Sequence, residues 1–242
     1  MIVSDSEMEE LREMTEVSFL TKHGRQLISQ EPDTNLFAMR DTYQQLKFVQ
    51  IENFVQPDVL TNMVAHILPQ AREYMARKEI PHQISEGLLS GGSRFGRIDW
   101  SPPAVKLSSE VQEAIQSIFE KNGLIQFAVE LSQLALPFFE FLVDRKLRYD
   151  RPFLLVYDEG DFIDPHGDSS TSQRVLVQMP VSFATRGAVR VLKNGFLEPF
   201  VDEPGCLRLL GAGIWHDVPP VLRLYPDHTP LRVLVAVRFA FV

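Results

Sequence analysis

Five short apolar runs in the second half of the chain constrain its fold more than any other feature. They are PFLLVY (152–157), RVLVQMPVSF (174–183), AVRVL (188–192), CLRLL (206–210) and LRVLVAVRFAFV (231–242), and Gly, Pro, Asp and Asn separate them. Short β-rich runs bounded by turn-forming residues are typical of antiparallel sandwiches and barrels. We therefore expect a mainly β core in residues 146–242.

Residues 1–145 have a different character, because their apolar residues recur mostly at helical spacing. This spacing predicts helices over 57–77, 108–121 and 125–144, with Pro57 in the first turn of the first helix. Short strands are expected at 47–54 and 94–100. We expect a single domain in which 1–145 supplies mostly helical support with early strands and 146–242 forms the core.

Charge and cysteine content narrow the partners and the compartment. Lys and Arg number 24 against 32 Asp and Glu, giving a net charge of −8. An acidic protein is repelled by nucleic acid and by anionic membranes, so a small-molecule substrate is expected. The single cysteine, Cys206, lies in an apolar run and is expected to be a buried thiol. With no recognisable signal peptide, these features favour the cytoplasm.

His166 and Asp168 follow the strand that ends at Tyr157, and in extended chain residues i and i+2 point to the same side. His216 follows several strands later. Two histidines and a carboxylate can form the facial triad of non-haem iron(II) enzymes, whereas a structural zinc site normally needs four protein ligands. A solvated loop remains an alternative for the His-x-Asp triplet, and His228 is a rival for the distal histidine.

The order Tyr157-x-x-Gly160-x5-His166-x-Asp168, Gly205-x-Leu207 and His216-x-Val218-x-Pro220-Val221 resembles the prolyl-4-hydroxylase-like branch of the iron(II)/2-oxoglutarate oxygenases. The resemblance implies a double-stranded β-helix, which is a cupin-like jelly roll, with N-terminal helices packed on one sheet. It also implies that His166, Asp168 and His216 bind Fe(II), with 2-oxoglutarate and O2 as co-substrates. Succinate and CO2 would then be co-products.

Three further residues acquire roles from this resemblance. Arg232, on the last strand, is expected to hold the distal carboxylate of 2-oxoglutarate, because a guanidinium can grip a carboxylate in a bidentate fork. Arg238 falls on the same strand face and could approach Asp168 or the other end of the co-substrate, or could merely cap the sheet. Tyr157 could bind the co-substrate or simply pack in the barrel.

The expected reaction is hydroxylation, desaturation or ring formation on a small molecule such as an amino acid, a peptide or a secondary-metabolite intermediate. A carboxylate at Asp168 argues against halogenation, because halogenating relatives have a small residue there. Two alternatives stay open. One is a protein or nucleic-acid hydroxylase or demethylase of the same superfamily, because the spacing of Arg232 and Arg238 resembles the Arg-x5-Arg signature of its nucleic-acid demethylases. The other is a cupin-like metal-binding protein that does not use 2-oxoglutarate. Arg190, Arg208 and Arg223 are expected on solvent faces of strands, although they could bind a carboxylate substrate.

Overall fold

Helices occupy much of the first half of the chain and strands most of the second. The computed structural model describes residues 36–85, 88–102, 106–167, 174–181, 188–222 and 232–242. The helices within these ranges are α1 (Leu36–Leu46), α2 (Pro57–Ala71), α3 (Ser109–Lys121) and α4 (Leu124–Val143). The strands there are β1 (Phe48–Ile51), β2 (Ala76–Ile80), β3 (Gln83–Ser85), β4 (Leu88–Ser90), β5 (Ser93–Ile98), β6 (Leu147–Tyr157), β7 (Phe162–Gly167), β8 (Arg174–Pro180), β9 (Arg190–Lys193), β10 (Phe196–Pro199), β11 (Leu207–Leu210), β12 (Trp215–Val218) and β13 (Arg232–Phe241).

The strands form a curled antiparallel sheet in the order β1-β11-β8-β13-β6-β5-β7-β12-β9-β10, and β2 pairs with the edge of β5. One layer contains β11, β8, β13 and β6, and the other contains β7, β12, β9 and β10. β5 joins the layers, since it pairs with both β6 and β7. Two four-stranded layers with these connections are a jelly roll. The expected mainly β, jelly-roll fold is therefore confirmed.

β13 shows why the sequences of these strands are nearly continuous apolar runs. Val233, Val235 and Val237 belong to the large cluster that also contains the helix side chains. Leu234 and Ala236 alternate with them and belong to a second cluster, which includes Val218 of the opposite layer. A strand buried on both faces loses the polar alternation of a surface strand. The even-numbered positions of β13 therefore face the interior of the barrel.

Helix α4 forms most of the support beneath the first layer. It is the one helix in the described residues that is long and apolar enough to cross a membrane. Its Leu131, Phe139 and Leu142 are fully buried in the large core cluster, and its contacts with β6 are extensive. The apolar surface of α4 is thus accounted for by packing against the sheet and the neighbouring helices, as expected of a core helix.

Two boundaries differ from the sequence prediction. The helix predicted over 57–77 ends at Ala71, and after a 3-10 turn the chain enters β2, an edge strand whose middle residues are exposed. Its ARKEI sequence has no apolar face, so no strand pattern shows in the sequence. β6 begins at Leu147, before the apolar run that predicted it.

Candidate functional site

Two histidines far apart in the sequence meet on neighbouring strands of the second layer. His166 on β7 and His216 on β12 are cross-strand partners. Their ring centroids lie 4.4 Å apart, and the ring planes are inclined by 51°. His216 is 8% exposed, so the pair sits within the barrel and not on its outer surface. The structure thus brings together the two predicted imidazole ligands.

A β-bulge in β7 turns His166 towards the barrel interior. Val218 pairs with Ile163, and His216 pairs with His166, so β7 carries three steps between the pairs where β12 carries two. Ile163 and Val218 face the interior cluster. With regular alternation His166 would face outward, but one extra residue reverses the parity. The bulge is the local feature that creates the imidazole pair.

Backbone carbonyl groups fix the tautomer of both rings. Nδ1 of His166 lies 2.9 Å from the carbonyl oxygen of Asp164, and Nδ1 of His216 lies 3.2 Å from that of Ile214. A carbonyl oxygen can only accept, so Nδ1 must be the protonated nitrogen in each neutral ring. The lone pair is then on Nε2, as in histidines that bind a metal through Nε2.

The predicted third ligand, Asp168, lies outside the described residues, one position beyond the end of β7. The rival histidine, His228, also lies outside them. Asp217, next to His216, forms an ion pair with Arg190 (Nε to Oδ1, 2.8 Å), so its carboxylate is engaged away from the imidazoles. Within the described ranges no group of three or more His, Cys, Asp and Glu side chains could hold a metal ion.

The start of β7 is anchored by a buried carboxylate. Asp164 is 6% exposed and accepts from the Gly92 backbone N–H at 3.1 Å. Nδ1 of His82 lies 2.8 Å from the same carboxylate oxygen, and the His82 ring stacks on Phe162 at 4.1 Å. A Cβ atom on Gly92 would come within 2.4 Å of that oxygen. Glycine is therefore required where β5 begins, and this contact holds the strand that carries His166.

Arg232, at the first position of β13, belongs to a fully buried ion cluster. Its Nε and the Nη1 of Arg208 both contact the Asp202 carboxylate, and all three side chains are 0% exposed. Burial raises the pKa of Asp202, but the charges of Arg232 and Arg208 outweigh this and hold it below its ordinary value. Arg208, expected on a solvent face, is thus buried, because Asp202 compensates its charge.

Tyr157 lies directly across from Arg232, with the guanidinium carbon 4.7 Å from the centre of its ring. Tyr157 is 1% exposed, and burial raises the pKa of its hydroxyl, so the group stays protonated and can donate. Among the described residues Nη1 of Arg232 is buried and has no hydrogen-bond partner. Two guanidiniums, one carboxylate and an unused donor leave a buried positive charge that suits an incoming carboxylate.

The imidazole pair and the arginine cluster both face the barrel interior, from opposite layers. Val218 follows His216 by two positions, about 7 Å along a strand, and it packs in the same cluster as Tyr157 and Leu234. Arg232 precedes Leu234 by two positions on the same face. The inner surface between the histidines and Arg232 is therefore apolar and continuous.

Arg238 lies six positions after Arg232 on β13, towards the other end of the strand. Its Nε donates to Asp150 at 2.5 Å, and its side chain lines a cavity at that end of the barrel. Arg232 and Arg238 lie on the same face of β13, as the sequence predicted. Asp202 and the buried role of Arg208 were not predicted from the sequence. The arginine within the apolar run CLRLL was the available signal for a buried charge.

Comparisons with solved structures place this fold among known enzymes. A prolyl-4-hydroxylase from Pseudomonas putida superposes with a TM-score of 0.54 at 18% identity, over 86% of this chain and 99% of that one. HygX from Streptomyces hygroscopicus, solved with nickel and 2-oxoglutarate, gives 0.52 at 12% identity, over 84% and 86%. The α-ketoglutarate-dependent carbocyclase SnoK of nogalamycin biosynthesis gives 0.53 at 11%, over 86% and 84%.

These likenesses establish the fold as that of the iron(II)/2-oxoglutarate oxygenases, including the prolyl-4-hydroxylases. No protein-family model matches the sequence. No curated protein matches it either.

Proposed function

We propose that this chain is an iron(II)- and 2-oxoglutarate-dependent oxygenase in which His166, Asp168 and His216 hold the metal. The observation that carries the proposal is the imidazole pair inside a jelly roll, 4.4 Å between ring centroids, with both Nδ1 atoms directed to carbonyl groups. Two neutral imidazoles with one carboxylate leave coordination positions open for a co-substrate and dioxygen. Asp168 follows β7 directly, two positions after His166, whereas Asp164, two positions before it, is already engaged by His82 and the Gly92 backbone N–H.

The buried arginine cluster supports 2-oxoglutarate as the co-substrate. Arg232 offers an unused Nη1 donor, and the protonated hydroxyl of Tyr157 lies on the adjacent strand. Arg208, Arg232 and Asp202 together carry a net charge of about +1, and a carboxylate placed there would neutralise it. In this assignment Asp202 acts as a positioning residue that orients Arg232 through its Nε.

The residues of this chain would bind and orient the co-substrate, and they would exclude water from the site. Arg232 and Tyr157 would hold the distal carboxylate, and the apolar side chains Leu234 and Val218 would line the co-substrate channel. When bound, the metal supplies the oxidative chemistry, coupling decarboxylation of 2-oxoglutarate to oxidation of a second substrate. We propose hydroxylation, desaturation or ring formation on a small molecule, consistent with the net charge of −8.

Anaerobic titration with Fe(II) and 2-oxoglutarate tests this proposal. We expect a weak visible metal-to-ligand charge-transfer band in the wild type, and its loss in His216→Ala and Asp168→Ala. His66→Ala is the matched control, because His66 is exposed on α2 and bonds only its own helix in the described residues. Variants at 216 and 168 that keep the band and still form succinate would refute the ligand assignment. Metal binding without any 2-oxoglutarate response would instead favour a cupin-like metal-binding protein.

A further inference from the structure

A cavity at the end of the barrel opposite Arg232 is lined by an unusual number of cations. Its volume is about 170 Å³, and its walls include Arg97, Arg174 and Arg238 together with the apolar side chains Phe153, Leu176 and Leu210. None of the roles assigned above uses the first two arginines.

The cavity adjoins the imidazole pair. Leu176 is the cross-strand partner of Arg238 and packs in one cluster with Val191 and Ile214. Val191 is in turn the cross-strand partner of His216, and Ile214 accepts from its ring. A molecule in the cavity would therefore be separated from the histidines by at most one layer of side chains.

The guanidinium groups around the cavity outnumber their counter-ions. Asp99 accepts from Arg97 at 2.5 Å and from Arg151 at 3.1 Å. Asp150 accepts from Arg238 at 2.5 Å and from Arg151 at 3.2 Å. Two carboxylates thus serve three arginines.

Arg174 adds a fourth positive charge, and no ion pair joins it to a carboxylate in the part of the chain that the structure describes. Counting only the described residues, four guanidiniums against two carboxylates leave an excess of two positive charges at this end of the barrel. In a partly desolvated site such an excess is costly unless an anion offsets it.

One of these arginines, Arg97, is held in place before any ligand arrives. Asp99 is 0% exposed and also accepts from the Ser101 backbone N–H at 2.9 Å, which fixes Arg97 from behind. The Arg97 guanidinium lies over the Phe153 ring at 3.8 Å. Burial lowers the pKa of Arg97, and the neighbouring charges of Arg238 and Arg151 lower it further. A preorganised donor set costs little ordering entropy on binding.

We propose that this cavity binds an oxyanion group, a carboxylate or a phosphate, of the substrate that the enzyme oxidises. Arg238 and Arg174 bind the anion, with Arg97 beside them, while Phe153, Leu176 and Leu210 contact the apolar part of the molecule. Guanidinium groups suit both oxyanions because their N–H donors form a planar fork. This inference rests on the proposed function, and it narrows the substrate to small acids with an apolar body.

Ligand-detected NMR on the full chain, loaded with Zn(II) and saturating 2-oxoglutarate, tests the inference without turnover. The probes are two matched sets, each with an acid, its amide and a phosphate. The first set is 3-phenylpropanoate, 3-phenylpropanamide and 2-phenylethyl phosphate. The second set is hexanoate, hexanamide and the equivalent alkyl phosphate. We expect at least one acid to bind and its amide to bind about tenfold more weakly or worse. The comparison of carboxylate with phosphate identifies the oxyanion.

Three variants locate the binding. Arg238→Gln and Arg174→Gln should each weaken acid binding about tenfold and leave amide binding unchanged. Arg174 is exposed, so its variant keeps the test valid if Arg238→Gln misfolds. Arg148→Gln is the matched control, because Arg148 is an exposed arginine on β6 outside the cavity lining.

Several results would overturn the inference: no acid binds, acid and amide bind equally, or Arg148→Gln weakens the acid as much as Arg174→Gln. Acid binding that appears only when 2-oxoglutarate is omitted would also overturn it, because the arginines would then serve the co-substrate. The proposed function fails separately. If the charge-transfer band is absent but acids still bind selectively, only the oxygenase assignment is lost, whereas a normal band without acid selectivity removes only this inference.

Discussion

Asp202→Asn is the most informative change to the stability of the protein. Asp202 is the shared counter-ion of Arg208 and Arg232, and all three side chains are 0% exposed. Neutralising it leaves two buried guanidiniums without a charge partner, which typically costs about 3–5 kcal/mol. Asparagine still accepts one hydrogen bond, so we expect a loss of about 3 kcal/mol in the free energy of unfolding. For a chain of this length that is a fall in Tm of roughly 6–12 °C.

Urea unfolding followed by circular dichroism measures this loss, with an unchanged m-value showing that only stability has changed. Glu198→Gln is the matched control. Its pair with Lys193 is 42% and 40% exposed on the two sides, and exposed pairs contribute about 0–1 kcal/mol. If Asp202→Asn costs no more than Glu198→Gln, the buried cluster does not stabilise the fold as argued.

The same cluster predicts a pH dependence. The folded-state pKa of Asp202 is held below its ordinary value of about 3.9, so its contribution is complete above that pH. It is lost as pH falls through the depressed folded-state pKa. We expect the stability difference between wild type and Asp202→Asn to be constant from neutral pH to about pH 5 and to shrink only at strongly acidic pH. A difference that already disappears near pH 6 would contradict this assignment.

Three further predictions concern the site. Arg232→Gln should weaken 2-oxoglutarate binding by about tenfold or more while Fe(II) affinity is retained, measured by anaerobic calorimetry; equal affinity would exclude Arg232 as the carboxylate partner. Tyr157→Phe should weaken 2-oxoglutarate by about tenfold or less in the same assay, and no change would assign Tyr157 to packing alone. Gly92→Ala should lower both Tm and Fe(II) affinity, because its Cβ meets Asp164 at 2.4 Å; a wild-type Tm would show that the contact relaxes.

A mainly β core was predictable, because strands that are buried on both faces leave apolar runs such as those of β6 and β13. The jelly-roll topology itself was expected only from the family resemblance. The edge strand β2 was not predictable, since its middle residues are exposed and its sequence has no apolar face. Strand periodicity could predict which residues share a face. It could not predict the bulge between Ile163 and His166, where the parity changes.

The candidate site shows the same division. His166 and His216 could be identified as a pair from their order among the strands, and the structure brings them into contact. The partnership of Arg232 with Asp202 joins residues 30 positions apart, and Asp202 lies in a loop that carries no strand pattern. Spacing says nothing about such a contact. The sequence pointed to Arg238 but not to its neighbour Arg97, because the two arginines come from different halves of the chain.

The most direct test of the account is X-ray absorption at the iron edge of the anaerobic Fe(II) protein, which counts imidazole ligands from their outer-atom scattering. We predict two imidazoles per iron in the wild type and in His66→Ala, and one in His166→Ala and in His216→Ala. A spectrum with no imidazole scattering, or one that neither His166→Ala nor His216→Ala alters, would contradict the assignment of these two residues as the metal ligands.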